Sequence, residues 1–270
     1  MRRRWAVVAA SGALVVATAC GGSAATRARL TLKSEQQISL LNNQGVARVA
    51  DGWILSGTDK PLVATDNLMR TDDDLDVVVR KLGVIPPGLR AQHFDHIGDI
   101  DVVSGVIYAP LEQSNYDKDR QVTAMYDART LAFQGSVVLR QHENSFVTVD
   151  TVTMTAYSMD HFDGNTLLRY DIRHKWRPLA PLVLSETLQH TQGADIWNGV
   201  LWMSTSDPRN DIYRINLVTG RVDLVGTHGH PGGEGEGMDA TPVASAQIHT
   251  LITDPNMQHV WFENFAVVTR

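Results

Sequence analysis

Apolar residues in this chain come in short runs, broken at frequent intervals by Gly, Asp, Asn and Thr. No stretch holds a sustained 3.6-residue period, and Val and Thr are plentiful, so the pattern predicts strands joined by turns. The runs also repeat. Asp101-Val-Val-Ser-Gly105-Val-Ile-Tyr108 matches Asp195-Ile-Trp-Asn-Gly199-Val-Leu-Trp202 position by position. Each is a strand, a turn with glycine, and a second strand ending in an aromatic, which is hairpin chemistry. Asp150 to Tyr157 fits the frame without the glycine, and Asp239 opens a copy whose second strand is Ile248 to Ile252. Arg48-Val-Ala-Asp-Gly52-Trp-Ile-Leu55 is the first copy, with Arg in the Asp column.

That column reads Arg48, Asp101, Asp150, Asp195, Asp239, at spacings of 53, 49, 45 and 44. Each hairpin is followed by another strand pair, as in Leu167-Leu-Arg-Tyr-Asp171 and Ile212-Tyr-Arg-Ile-Asn216. A four-stranded unit recurring at about 45 residues is the mark of a propeller blade. The prediction is an all-β chain, a β-propeller of five four-stranded blades, preferred over a β-sandwich because the Asp column aligns. The last copy lacks a clear fourth strand. Arg27–Ser34 alternates as a strand should, and is expected to supply that outer strand and close the ring. Ser34–Leu41 is expected to form a turn or two of helix. Pro86-Pro87-Gly88 marks the boundary between the first two blades.

Composition adds a compartment. Net charge is −6, with Lys plus Arg at 24 and Asp plus Glu at 30, so the basic footprint of a nucleic-acid binder is missing. A single Cys excludes an intramolecular disulfide framework and a cysteine zinc site. Met1 to Arg4 is basic, Trp5 to Val16 is apolar, and Ala17-Thr18-Ala19-Cys20 is small. This is the layout of an export signal, too short for a comfortable transmembrane helix. Ala17-Thr18-Ala19-Cys20-Gly21 resembles the lipobox of bacterial lipoproteins, with Ala17 where Leu is usual. The resemblance implies that residues 1–20 are a lipoprotein signal whose Cys20 is acylated and becomes the mature N-terminus; the other reading is a plain secretory signal cut after Ala19, for which Ala17-Thr18-Ala19 suffices. Cleavage before Cys20 removes Arg2, Arg3 and Arg4 and takes the charge from −6 to −9. Residues 21–26 then form a flexible tether and 27–270 the propeller domain. The expected location is the outer face of a bacterial cell membrane.

The repeat alignment also gathers chemistry. Asn43, His96, Ser145, His190 and Glu234 fall in one column, five positions before the Asp column. Beside them lie Gln44, Asp95, Gln192 and Glu236, with Asp99 and Gly237 further along. Innermost strands converge at one mouth of a propeller, so these side chains are expected to face one another. His96, His190 and Glu234 form a candidate ligand set for one divalent cation, zinc by its imidazoles or calcium if more oxygens join. His190 and Glu236 are candidate acid and base. Asn43, Gln44, Asp99 and Gln192 are candidate ligand-binding residues. Asp101, Asp150, Asp195 and Asp239 repeat from blade to blade, as scaffold residues bonding neighbouring amides should; the other reading is a carboxylate ring around a cation. His228-Gly-His230 reads as a solvated Gly/Pro loop, Asp160-His161-Phe-Asp163-Gly-Asn165 as an ordinary loop after a second strand, and Asp72-Asp73-Asp74 as an exposed turn.

The blade rhythm resembles exported bacterial propellers of the lactonase and glutamine cyclotransferase type. It covers residues 41–268, and Glu236-Gly-Met-Asp carries the cyclotransferase likeness. In lactonase-type propellers acidic and Asn residues hold channel calcium, which would correspond here to Glu234 or Glu236, Asn43 and Asp99; those enzymes have six blades where this pattern gives five. The expected function is a membrane-anchored, extracytoplasmic module that binds a small molecule or a protein at the propeller mouth. The alternative is a metal-assisted hydrolase or lactonase at the same mouth. A cyclotransferase-like acyl transfer would need a dry pocket with a buried carboxylate at Glu236.

Overall fold

The computed structural model describes residues 28–59, 65–113, 119–162 and 164–269. The signal, Cys20 and the tether lie outside the described residues. Five antiparallel sheets are arranged as a five-bladed β-propeller. Blade one runs through Gly45–Val49, Gly52–Asp59, Thr65–Thr71 and Val77–Leu82. Blade two has a split inner strand, Phe94–Ile97 and Asp101–Val103, then Val106–Gln113, Gln121–Asp127 and Phe133–Leu139. Blade three runs Thr148–Asp150, Thr155–Ser158 and Gly164–Asp171, with an outer edge split into Arg177–Pro178 and Leu182–Leu188. Blade four is Thr191–Trp197, Val200–Thr205, Asp211–Asn216 and Val222–Thr227.

Blade five has three strands of its own, Glu234–Asp239, Ile248–Thr253 and Val260–Thr269. Its outer strand is Ala28–Ile38, from the other end of the chain. The pairing runs from Ala28 opposite Thr269 to Ile38 opposite Val260. The predicted closure is therefore present, and longer than expected. Ser34–Ile38, read from sequence as helical, continues this strand. The helix-forming Glu35, Gln36 and Gln37 are exposed on an outer edge, and the open edge of Val260–Thr269 overrides their weak propensity. Among the described residues, the α-helix is the single turn Pro87–Arg90, at the predicted boundary.

Apolar burial lies between blades. Phe94, Ile97 and Ile107 pack against Ile54 and Leu68 across blades one and two. Val103 and Tyr108 meet Val149 and Tyr170 across two and three. Phe146 and Leu184 meet Leu201 and Met203 across three and four. Trp202 and Ile212 meet Met238 and Phe265 across four and five. Trp53 and Leu55 meet Leu251 and Phe262 across five and one. The alternating strands supply one apolar face to each neighbour, so the core is a ring of five interfaces.

One polar residue joins all five blades. Asp99 lies between the two halves of the blade-two inner strand and is 1% exposed. Its Oδ1 accepts from Val46 N of blade one at 3.1 Å. Its Oδ2 accepts from Ala194 N of blade four at 2.9 Å and Met238 N of blade five at 3.2 Å. Its own amide donates to the Ser145 carbonyl, at the entry to blade three, at 2.8 Å. The approach requires bare backbone. A Cβ on Gly193 would sit 2.8 Å from Asp99 Oδ2, and one on Gly237 would sit 2.7 Å from Asp99 Oδ1. Asp99 was expected to meet a ligand; in the structure its carboxylate accepts from three backbone amides, a scaffold role that the repeat alignment did not suggest.

Asp99→Ala strips acceptors from three buried amides, each costing about 1–3 kcal/mol when left unmade. The expected outcome is a loss of roughly 4 kcal/mol or failure to fold. Denaturant unfolding checks it, and a loss under 1 kcal/mol would sink the role assigned to Asp99.

Candidate functional site

The inner strands begin at one mouth, and three of them carry a bulge there. The register shifts between Phe94 and His96, between Thr191 and Gly193, and between Gly235 and Met238. The residues at the shifts are Asp95, Gln192, and Glu236 with Gly237. A bulge re-aims a side chain that would otherwise point into a blade interface. These are the residues the repeat alignment places beside the His column.

The bulges bring the mouth together. Gln44 Nε2 donates to Glu236 Oε1 at 3.4 Å, from blade one to blade five. Gln192 Nε2 donates to Glu234 Oε1 at 2.9 Å, from blade four to blade five. Glu234, Gln44, Gln192 and His190 are partly exposed, while Glu236 is 1% exposed behind them. Burial, then the charges of Glu234 and Asp99, push the Glu236 carboxyl well above the usual range. Both causes bias the carboxyl toward its protonated form.

His190 stands against a residue read from sequence as part of an ordinary loop. The His161 and His190 rings meet edge-on at 5.2 Å, with Phe162 at 5.7 Å from His190. Burial pushes the His161 imidazole down, against the Thr191 carbonyl and the Glu143 charge. Glu143 is fully buried, and its Oε2 accepts from Phe162 N at 3.1 Å. Its Oε1 finds no hydrogen-bond partner among the described residues. Sequence reasoning missed both His161 and Glu143. They lie before an inner strand and after a second strand, outside the aligned columns; the only available signal was the His161-Phe162 pair beside acidic residues.

Other candidates are placed differently. Asn43 is committed to blade one: its Oδ1 accepts from Thr58 N at 3.1 Å and its Nδ2 donates to Thr58 O at 3.4 Å. Ser145 Oγ donates to Thr191 O at 2.7 Å, tying blade three to four. His96 is half-buried at the start of blade two. The ligand atoms of His96, His190 and Glu234 do not form a cluster within 4.8 Å; among the described residues the one His, Cys, Asp and Glu group that does is Glu35, His230 and Glu263. His228, expected to be solvated, is buried: its Nδ1 lies 2.8 Å from Glu263 Oε2 and its Nε2 lies 2.8 Å from Ser204 Oγ. The pull that places it is the buried Glu263 carboxylate. Asp72 caps its turn by accepting from Asp74 N and Asp76 N, as an exposed turn should.

At the far end of the inner strands the Asp column acts as scaffold. Asp101 accepts from Val149 N of blade three at 2.7 Å, Asp195 from Ala240 N of blade five at 2.8 Å, and Asp239 from Arg48 N of blade one at 2.6 Å. Asp150 instead caps its own turn, accepting from Val152 N at 2.9 Å.

Solved structures place this fold. A crystal structure of Myxococcus xanthus glutaminyl cyclase is similar at TM-score 0.62 and 11% identity, over 90% of this chain and 99% of that one. A nidogen/laminin complex aligns at TM-score 0.46 and 14% identity, over 69% of this chain and 80% of that one. No protein-family profile and no curated protein matches the chain. At this identity the cyclase likeness shows a shared propeller fold, and the site must be argued from its own residues.

The far-end carboxylates set a pH dependence. Burial, with neighbouring carboxylates adding to it, raises Asp101 to about 8, Asp195 to about 7 and Asp239 to about 6. Folded values above the unfolded ones mean the native state keeps protons that the unfolded chain releases, so stability falls as pH rises through 6 to 8. His161 and His249, pushed down by burial, oppose this only below their ordinary value of 6.5. The melting temperature is expected to drop between pH 6.5 and 9, and Asp101→Asn is expected to flatten the drop. Thermal unfolding across that range checks it; a flat wild-type profile would refute it.

Proposed function

We propose that this chain is an exported, lipid-anchored propeller whose mouth binds a small amine-bearing ligand, with Glu236 carrying a proton for acyl transfer on it. The observation that carries the reading is Glu236. It is a carboxyl buried behind the partly exposed Glu234 and touched by the Gln44 amide, and its burial biases it toward the protonated form. Two like groups in such unlike surroundings are suited to divide donor and acceptor roles. Glu143 supports the amine part, since a buried carboxyl oxygen without a partner among the described residues calls for a donor, and the N–H of a free amine supplies one while leaving its lone pair for attack.

The step balances simply. An amine nitrogen attacks an acyl carbon, and the new C–N bond forms. The old C–N bond breaks, and the departing amine takes the proton that Glu236 holds. Glu236 then recovers a proton from the attacking nitrogen. Removal of an N-terminal glutaminyl amide as ammonia is one such reaction, and the name of the similar cyclase makes it the form to test first.

A second reading keeps the mouth as a binding module without turnover. The 1% exposure of Glu236 favours it, because a ligand must displace the Gln44 contact to reach the acid. Metal-assisted hydrolysis is the weakest reading, since His96, His190 and Glu234 do not gather ligand atoms.

Ammonia release from peptides with N-terminal Gln tests the proposal. Glu236→Gln, isosteric with the protonated acid, should lower turnover by about 100-fold or more while ligand binding persists. Saturable binding without turnover, weakened by Glu143→Gln, would favour the module. Neither binding nor turnover would end both readings. Fractionation checks the anchor: Cys20→Ser is expected to move the protein from membrane to soluble fractions.

A further inference from the structure

Away from the mouth, the closing strand brings two glutamates face to face. Glu35 on Ala28–Ile38 is the direct cross-strand partner of Glu263 on Val260–Thr269. Like charges directly opposite destabilise a strand pair. Here they lie at the pairing that completes the ring. A third residue joins them from the connection between blades four and five: His230 Nε2 lies 3.1 Å from Glu35 Oε2. One ligand atom from each of the three lies within 4.8 Å of the others.

We propose that Glu35, His230 and Glu263 bind a zinc ion that clasps the N-terminal strand to blade five. The donor set is two carboxylate oxygens and one imidazole nitrogen from three separate elements. That mixture suits zinc, whereas calcium prefers six to eight oxygens. The set is held in place. Glu263 is fully buried; its Oε1 accepts from Gly229 N at 2.7 Å, and its Oε2 accepts from Thr250 Oγ1 at 3.1 Å. His228 at 2.8 Å orients the same Oε2, and Ser204 orients His228 in turn. Metal ligands are commonly positioned by such outer partners. The His230 ring is stacked on Trp261, with centroids 4.8 Å apart and planes at 14°. Space between the carboxylates depends on Gly229: a Cβ there would lie 2.6 Å from Glu263 Oε1 and 3.7 Å from Glu35 Oε2. The side chains of His230 and Glu35 are 21% and 40% exposed, so an ion can enter from solvent and water can fill the remaining coordination.

This site is independent of the reading of the mouth, and its test uses no activity assay. The purified chain, stripped with chelator, is titrated with zinc by calorimetry, followed by metal analysis after dialysis and thermal unfolding. The expected result is about one ion per chain, with a melting temperature raised by roughly 5–10 °C at a hundredfold excess over the dissociation constant. His230→Ala and Glu35→Gln should each weaken zinc binding by about 100-fold and abolish the thermal gain. Glu35→Gln is a conservative change at a partly exposed position and guards against a folding defect in the other variant. His174→Ala, on blade three, should bind as the wild type does. Absence of zinc from the wild-type chain overturns the proposal. So does unchanged affinity in both His230→Ala and Glu35→Gln.

Discussion

The ring is organised around a single buried carboxylate. Five blades packed side by side could slide or splay, because apolar contacts between sheets have no direction. Asp99 supplies direction at the axis. Its oxygens and its own amide fix blades one, three, four and five to the one that carries it. Burial pushes this carboxyl up while the three amide donors pull it back, so the donors are what make an acid tolerable there. The arrangement also dictates glycine at positions 193 and 237, where any side chain would strike the carboxylate. The split of the blade-two inner strand follows, since the chain must leave its ladder to reach the axis.

The same constraint shapes the mouth. Gly193 and Gly237, which pack against Asp99, are the direct neighbours of the bulged positions Gln192 and Glu236. Paired amides and acids hold the mouth in a preformed state: Gln44 on Glu236, Gln192 on Glu234. Preformed polar contacts lower the ordering cost of binding, and they set the price of entry, since a ligand must replace what it displaces.

Much of this was legible in the sequence, and the limits are physical. Strands, turns and the five-fold repeat are local and periodic, so alignment of Asp101 with Asp195 located the blades. The closing strand was inferable because blade five was one strand short. The Ser34–Ile38 segment was misread because propensity is weaker than an open sheet edge. Gln44, Gln192, Glu234 and Glu236 were placed together correctly by their columns. Asp99 was seen in its column, but its scaffold role was not, because hydrogen bonds to amides of distant blades leave no pattern in sequence. His161 and Glu143 sit in irregular connections, where the repeat has no register, and only the folded chain brings them to His190.

The register of the closing strand decides which face of the ring each of its ends reaches. Glu234, at the mouth, is opposite Thr253, which is opposite Val260, which is opposite Ile38. Ala28, at the other end of that strand, is opposite Thr269 and lies on the face away from the mouth. The proposed anchor, if present upstream of Ala28, would therefore join the propeller on the face opposite Glu234, the face that carries Asp101, Asp195 and Asp239, and would leave the Glu234 side turned away from the support.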